Sequence, residues 1–428
     1  MALPKLIQAE LFEPADYLQN QSGRAYFALL RAVPGSERKR QQSFPVDSMH
    51  AVLAALGSEG PALDTWISQA EFYAPTRRLV HLSKLGLLFT DLDTYKVGIE
   101  ASPEKLTEQL LRLCESQKLP EPSIVVFSGR GLQAKWLLQT ALPQAALPRW
   151  NALQDVINER LSAFGADAKA MDASRVLRLV QTVNSRSGEI VRVMHHSGRR
   201  YDFDTLAREL LPYARFSGAS VAILRPGPGE RREANTTGLR QFMGFQLAWD
   251  RLADLRKLAQ LRSQDGGAVP DGQRDAFVFL SAVFLAQATI NAPRFYDELR
   301  VLGREFVPHW TDAQVRDSAS AALSRMHDYV AGKRIEFNGQ QVDPRYRFRN
   351  ETLVGERWLA VTPKEEREMG TIMSEAESKR RHAARTRQSR ADAGAVTREE
   401  YLAAALSNTK PWEAEGISRA TWYRKNKA

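Results

Sequence analysis

The segment Leu85–Lys96, LGLLFTDLDTYK, carries an apolar run into two carboxylates, Asp91 and Asp93, spaced i, i+2. In a strand that spacing puts both side chains on one face of the sheet. Two like charges so close repel, and one of them resists ionising unless a cation neutralises the pair. Hard divalent ions such as Mg²⁺ or Mn²⁺ are the usual reason for such a pair. Polymerases use two of them to activate a 3′-hydroxyl and to stabilise the departing pyrophosphate. The plain alternative is two solvated acids where a strand runs into a loop, and a bare Asp-x-Asp does not decide between them.

Two further segments could complete such a site. In Ser123–Leu138, SIVVFSGRGLQAKWLL, two strand-like runs flank Ser128-Gly129-Arg130-Gly131, the pattern of a hairpin. Small residues there let backbone N–H groups approach a phosphate, with Gln133 close by and Arg130 and Lys135 adding charge; glycine also suits a plain turn. In Met171–Arg186, MDASRVLRLVQTVNSR, the single acid Asp172 precedes a strand-like run holding Arg175, Arg178 and Arg186. Asp172 could be a third carboxylate and the arginines could hold a triphosphate or a template backbone. A capping aspartate beside a basic surface stripe would look the same.

The order of these three segments resembles that of the archaeo-eukaryotic primase superfamily, and within it the RepB-like replication primases of broad-host-range plasmids. The resemblance covers roughly residues 20–210. It implies an RNA-recognition-motif-like catalytic sheet packed against a smaller α/β unit. It also implies Asp91, Asp93 and Asp172 as catalytic metal ligands, with Ser128, Gly129, Arg130, Gly131, Gln133, Lys135 and Arg178 at the nucleotide. One position departs: many members carry a nucleotide-binding histidine where this chain has Gln133, which can donate a hydrogen bond but cannot be a cation.

The elements that must position these residues are legible in outline. Strand-like runs occur at Tyr26–Ala32, Leu85–Thr90, Ser123–Phe127, Gln133–Leu138, Val176–Val183 and Glu189–Met194. Between them lie helical patterns at Asp47–Leu56, Pro103–Glu115 capped by Ser102, Gln154–Ala163 and Phe203–Leu211. The expected fold is α+β, with a catalytic domain over residues 1–215. Arg225–Glu230, rich in proline and glycine, falls in a linker at 216–240. A helical domain follows at 241–361, with helices at Gln241–Arg262 and Gln273–Ile290. The apolar stretch Phe277–Ile290 is too short to span a bilayer and reads as a core helix.

Residues 362–428 form a basic helical tail. Lys379, Arg380, Arg381, Arg385, Arg387 and Arg390 crowd one acid-free run, which would lie along phosphates. The end, PWEAEGISRATWYRK, resembles the turn and recognition helix of a helix-turn-helix. Gly416 would make the turn, Ser418 would cap the helix, and Arg419, Thr421, Trp422 and Arg424 would line it. A solvated helix, a small capping bundle, or a contact with a replicative helicase or other replication protein is the alternative.

Composition agrees. At 428 residues the chain exceeds what one core usually supports, so two or three domains are expected. Its formal charge of +10 favours a polyanion, most simply nucleic acid. Cys114 is the only cysteine, which excludes an intramolecular disulfide and a cysteine-based zinc site. No secretory signal is evident, so a cytoplasmic protein without a membrane role is expected. The sequence lacks a P-loop and the His-hydrophobic-His motif of a nickase, since His195-His196 has the wrong spacing. The expected activity is primer synthesis on single-stranded DNA from nucleoside triphosphates with Mg²⁺ or Mn²⁺. A DNA-binding replication initiator without catalysis is the competing expectation.

Overall fold

A computed structural model describes residues 13–18, 25–33, 35–36, 38–58, 62–211, 215–217, 220–222, 236–263, 268–288, 294–337, 339–394, 402–403 and 406–426. The expected linker segment Arg225–Glu230 lies outside them. The chain divides into two compact units, Met1–Arg347 and Phe348–Ala428.

The first unit is built on one nine-stranded sheet: β1 (Tyr26–Ala32), β2 (Lys39–Pro45), β3 (Thr65–Ser68), β4 (Glu71–Phe72), β5 (Leu82–Leu92), β6 (Ile124–Phe127), β7 (Leu132–Pro143), β8 (Val176–Arg178) and β9 (Arg192–His196). The spatial order is β8-β3-β1-β4-β5-β7-β6-β9, with β2 paired to β1. Every pairing in this sheet is antiparallel. The long central strands are apolar runs. β6 is buried at all four positions and β5 from Leu85 to Thr90, as expected of strands covered on both faces.

Two helices cover the centre of the sheet. In Pro103–Ser116 the buried side chains Leu106, Leu110 and Cys114 recur every four residues, an amphipathic stripe. Ser102 caps it by accepting from the Lys105 N–H. Helix Leu147–Arg160 lies over β5: the Trp150 indole N–H donates to the Leu87 carbonyl at 2.8 Å, and the Gln154 side chain accepts from the Phe89 N–H at 2.9 Å. β4 is only two residues long, so Gln154 satisfies an N–H of β5 that β4 does not reach.

Helices Thr236–Arg262, Arg274–Ala288, Phe295–Phe306, Asp312–Ser318 and Ser320–Val330 follow. Arg274–Ala288 is buried at Phe277, Leu280, Phe284 and on the faces between, the core helix that its composition calls for. The bundle grips the sheet through the loop before β5. Glu298 accepts from the Val80 N–H at 3.0 Å, and Glu305 accepts from the Arg256 guanidinium at 2.7 Å and meets His81 at 2.8 Å. No helix among the described residues is long and apolar enough to cross a membrane.

The second unit is helical, with Asn350–Val354, Pro363–Glu368, Glu375–Asp392, Leu406–Thr409, Pro411–Ala414 and Arg419–Lys425.

Candidate active site

A cleft of about 150 Å³ opens at the end of β5. Asp91, Asp93, Ser128, Arg130, Gln133 and Arg178 all line it, with Trp66, Tyr95, Asn184 and Arg186 beside them. Seven of the sequence candidates, Arg186 among them, therefore share one cavity.

Backbone packing brings the two acidic positions to the hairpin. Ser128–Gly131 forms the turn between β6 and β7, closed by the Ser128 N–H donating to the Gly131 carbonyl at 2.9 Å. The turn lies so close to β5 that a Cβ on Gly131 would sit 2.2 Å from the Leu92 carbonyl oxygen. On the other side a Cβ on Gly165 would sit 2.7 Å from the Asp93 carbonyl oxygen, and the Asp93 N–H donates to the Gly165 carbonyl at 2.8 Å. Two glycines thus clamp the Leu92–Asp93 backbone, and any side chain there would push it out of place.

The electrostatics of the acidic pair are unfavourable as they stand. Burial, the neighbouring Asp93 and the more remote Asp167 push the Asp91 carboxyl up to about 6, against a hydrogen bond from Gln133 that lowers it. Asp93 is held by Lys96, and the Tyr95 hydroxyl donates to it. The Arg130 guanidinium stacks on the Tyr95 ring at 3.9 Å, which ties the hairpin tip to the acid pair. Gln133 is 2% exposed, and its side-chain oxygen finds no partner among the described residues.

The opposite wall is cationic and fixed. Arg178 reaches Asp64 at 2.8 Å and the Asn184 side-chain oxygen at 3.0 Å, and stacks on Trp66 at 4.8 Å. Lys39 lies over the same indole at 3.9 Å. Asn184 in turn donates to the Ser128 carbonyl at 2.9 Å, joining this wall to the hairpin.

Three candidates lie elsewhere: Lys135, Asp172 and Arg175. Lys135 is fully buried beneath the 3-10 turn Glu13–Asp16, where it donates to Glu13 at 2.7 Å. Strand alternation puts it on the face of Gln133, but the turn covers that face, so it has no path to a nucleotide. Asp172 does not line the cleft. It pairs with Arg175 at 3.1 Å and Arg294 at 3.3 Å and accepts from Ser174. Among the described residues no group of three His, Cys, Asp or Glu side chains converges closely enough to hold a metal ion.

No family model matches the chain. A replication protein of Clostridium perfringens is 29% identical over 314 residues, which span 72% of this chain and 68% of that protein. Among solved structures, the AEP domain of the cyanophage S-2L primase-polymerase gives a TM-score of 0.36 at 15% identity, covering 47% of this chain and 97% of that one. The catalytic domain of primase RepB′ in complex with initiator DNA gives 0.32 at 14% identity, covering 47% and 93%. A structure of primase RepB′ gives 0.31 at 15%, covering 76% and 94%. Scores this low do not by themselves establish a shared fold. By sequence, the chain is similar to a replication protein.

Sequence reasoning missed Trp66, Tyr95, Asn184 and Lys39. Trp66 and Lys39 lie on β3 and β2, whose short or polar sequences carry no strand signal. Tyr95 was visible two residues after Asp93, where an aromatic could support a cation.

In the second unit the six cations of the basic run share helix Glu375–Asp392. Arg380 and Arg381 pair with Glu377, and Arg381 also donates to the Glu366 and Met369 carbonyls. Lys379 pairs with Glu375. Arg385, Arg387 and Arg390 are exposed and make no ion pair among the described residues. At the end of the chain Gly416 has a φ of +65° and Ser418 caps Arg419–Lys425. Trp422 is turned inward onto Trp412 at 6.4 Å, and Arg419 stacks on Trp412 at 5.2 Å; Arg424 is exposed.

Proposed function

We propose that the chain is a DNA primase that extends short primers on a single-stranded template by two-metal nucleotidyl transfer, in the replication of a plasmid or other mobile element. The observation that carries this is the cleft itself, which sets an acid pair against a fixed cationic wall. Asp91, whose ionisation is penalised by burial and by the neighbouring Asp93, is a carboxylate that a cation would relieve. Asp91 and Asp93 fit a divalent ion as donors; Asp172 would have to leave Arg294 to join them. When bound there, Mg²⁺ or Mn²⁺ would activate the 3′-hydroxyl and neutralise the pyrophosphate.

This chain's own side chains supply the remainder. Arg130, Arg178 and Arg186 would hold the triphosphate, the first two preset by stacking and by hydrogen bonds. Gln133 would orient Asp91 through its amide N–H and offer its free oxygen to the nucleotide. The run β5, helix Pro103–Ser116, β6, β7, helix Leu147–Arg160 also supports a βαββα reading in which β7 lies between β5 and β6, as in an RNA-recognition motif. The second unit would then position the enzyme on DNA through a helix-turn-helix-like end, or dock a helicase.

The test is direct. Full-length protein, labelled nucleoside triphosphates, single-stranded DNA and Mg²⁺ or Mn²⁺ should give short products, and none should form in excess chelator. Absence of product with either metal would discard the reading. The Asp172–Arg294 pair favours the other one, a replication initiator that binds DNA without catalysis. Specific DNA binding without synthesis would establish it.

A further inference from the structure

A second groove, of about 480 Å³, lies between the loop preceding β5 and helix Phe295–Phe306 of the bundle. Five arginines line it, Arg77, Arg78, Arg294, Arg300 and Arg304, with Asp297 the one acid in its wall. Asp172 and Asp312 hold Arg294, Arg300 and Arg304 from outside it. Arg78 has an evident structural role, since its pair with Asp297 at 3.1 Å joins the loop to the helix.

Arg294, Arg300 and Arg304 are each paired with an acid, Arg300 with Asp297 as well at 3.9 Å, but Arg77 is not so explained. Arg77 makes no ion pair among the described residues; it donates to the Ser174 carbonyl and to the Gln41 side chain. Burial and the nearby Arg294 pull its pKa down to about 10. The Arg300 Nε–H is buried and has no acceptor among the described residues. Clustered like charges and an orphaned donor both cost stability, and a polyanion would relieve both.

The groove is preformed. Thr76 in its wall is bonded to His81, and His81 to Glu305, so the loop is fixed to the bundle. Arg300 and Arg304 project from one face of their helix at i, i+4. Strand β2 reaches from beside the cleft to the groove. Lys39 sits over Trp66 at the cleft, while Gln41, two residues on and on the same face of β2, touches Arg77. No aromatic side chain lines the groove, so it offers no platform for a base.

We propose that this arginine groove binds the sugar-phosphate backbone of single-stranded DNA, holding the strand that runs on from the cleft without reading its sequence. The site is separate from the proposed nucleotide pocket, and only the strand's role as template rests on the primase reading.

The experiment uses full-length protein with Arg300→Gln and Arg304→Gln together, both partly exposed. Binding of an oligodeoxythymidine long enough to span cleft and groove should weaken several-fold, and the slope of log K against log salt should become shallower by about 1.4, at about 0.7 per phosphate contact. Affinity for a nucleoside triphosphate alone should be unchanged. Asp297→Asn is the opposing variant: it removes the groove's one acid, so strand binding should tighten and the slope should not become shallower. Unchanged binding and slope in the double variant would overturn the proposal. So would an equal loss of nucleoside triphosphate affinity, which would make the groove part of the nucleotide pocket. Strand binding through the groove without primer synthesis would keep this site and remove the primase reading; primer synthesis with unchanged binding by the double variant would do the reverse.

Discussion

The cleft of the first unit and the basic helix of the second both gather positive charge, but they hold it differently. In the cleft, Arg130 is stacked on Tyr95, Arg178 is fixed by Asp64 and Asn184, and Lys39 lies on Trp66. On helix Glu375–Asp392, Arg385, Arg387 and Arg390 stand in solvent. Fixed cations have given up their rotamer entropy in advance and suit a ligand of definite shape. Free cations neutralise phosphates anywhere along a strand and contribute mainly salt-dependent affinity. Chemistry is therefore expected to be sensitive to single changes in the cleft and insensitive to changes on the helix.

The largest effect should come from the acid pair. Asp91→Asn or Asp93→Asn should abolish primer synthesis, and wild-type rates in either variant would end the assignment. Metal-free stability should behave oppositely. The Asp91 carboxyl is raised from 3.8 to about 6 in the folded protein, by burial first and Asp93 second. Between those values the folded chain keeps a proton that the unfolded chain has released, so this group's contribution to stability falls as pH rises through that window. Asp91→Asn should flatten that dependence in thermal melts without metal, and should not lower the melting temperature at pH 7.

The next effect tests the clamp. Gly131→Ala would press a methyl group onto the Leu92 carbonyl, at a cost of about 1–3 kcal/mol in urea unfolding. Synthesis should fall by more than the folded fraction does, because the strand end bearing both acids is displaced. A variant that unfolds like wild type and synthesises normally would show that the close approach is not needed.

That clamp was half legible in the sequence. An apolar run ending in Asp-x-Asp and a Ser-Gly-x-Gly turn are local patterns, and local patterns survive folding. Which residue covers which strand is not local. Lys135 looked available because it follows the hairpin, but Glu13 covers it from 122 residues away. Asp172 looked like a ligand, yet Arg294 pairs with it, also 122 residues away. β2, with the polar sequence KRQQSFP, shows no alternation; it is exposed over its first four residues and gains its strand conformation by pairing with β1. The core helix Arg274–Ala288 was plain because ten of its residues are buried and it needs only apolar composition.

A smaller effect should follow from Arg130→Ala. The side chain stacks at the hairpin tip and supports no strand, so the melting temperature should hold while the apparent KM for nucleotide rises roughly tenfold, the worth of about 1.4 kcal/mol from a charge-assisted contact. A kinetically silent variant would reduce the hairpin to a turn, and the contrast between fixed and free cations would lose its clearest member.

The smallest effect on chemistry, and the sharpest on the comparison, concerns the helix. Its six cations fall into two groups that the sequence does not separate. Lys379, Arg380 and Arg381 are paired with Glu375 and Glu377, and Arg381 also satisfies two carbonyls; replacing them should affect the packing of the second unit more than its charge toward DNA. Arg385, Arg387 and Arg390 are unpaired among the described residues, so replacing all three by Gln should leave the melting temperature within error. Every phosphate that is no longer neutralised lowers the salt slope by about 0.7 on single strands and about 0.9 on duplex. If all three arginines touch DNA, the slope should fall by about 2.1 on single strands and about 2.7 on duplex. Primer synthesis on excess template should continue. An unchanged slope with the triple variant, alongside a changed one with Arg300→Gln and Arg304→Gln, would place DNA binding in the first unit alone. The basic helix would then be a surface for a protein partner, and its three free arginines would be expected to meet acidic side chains instead of phosphates.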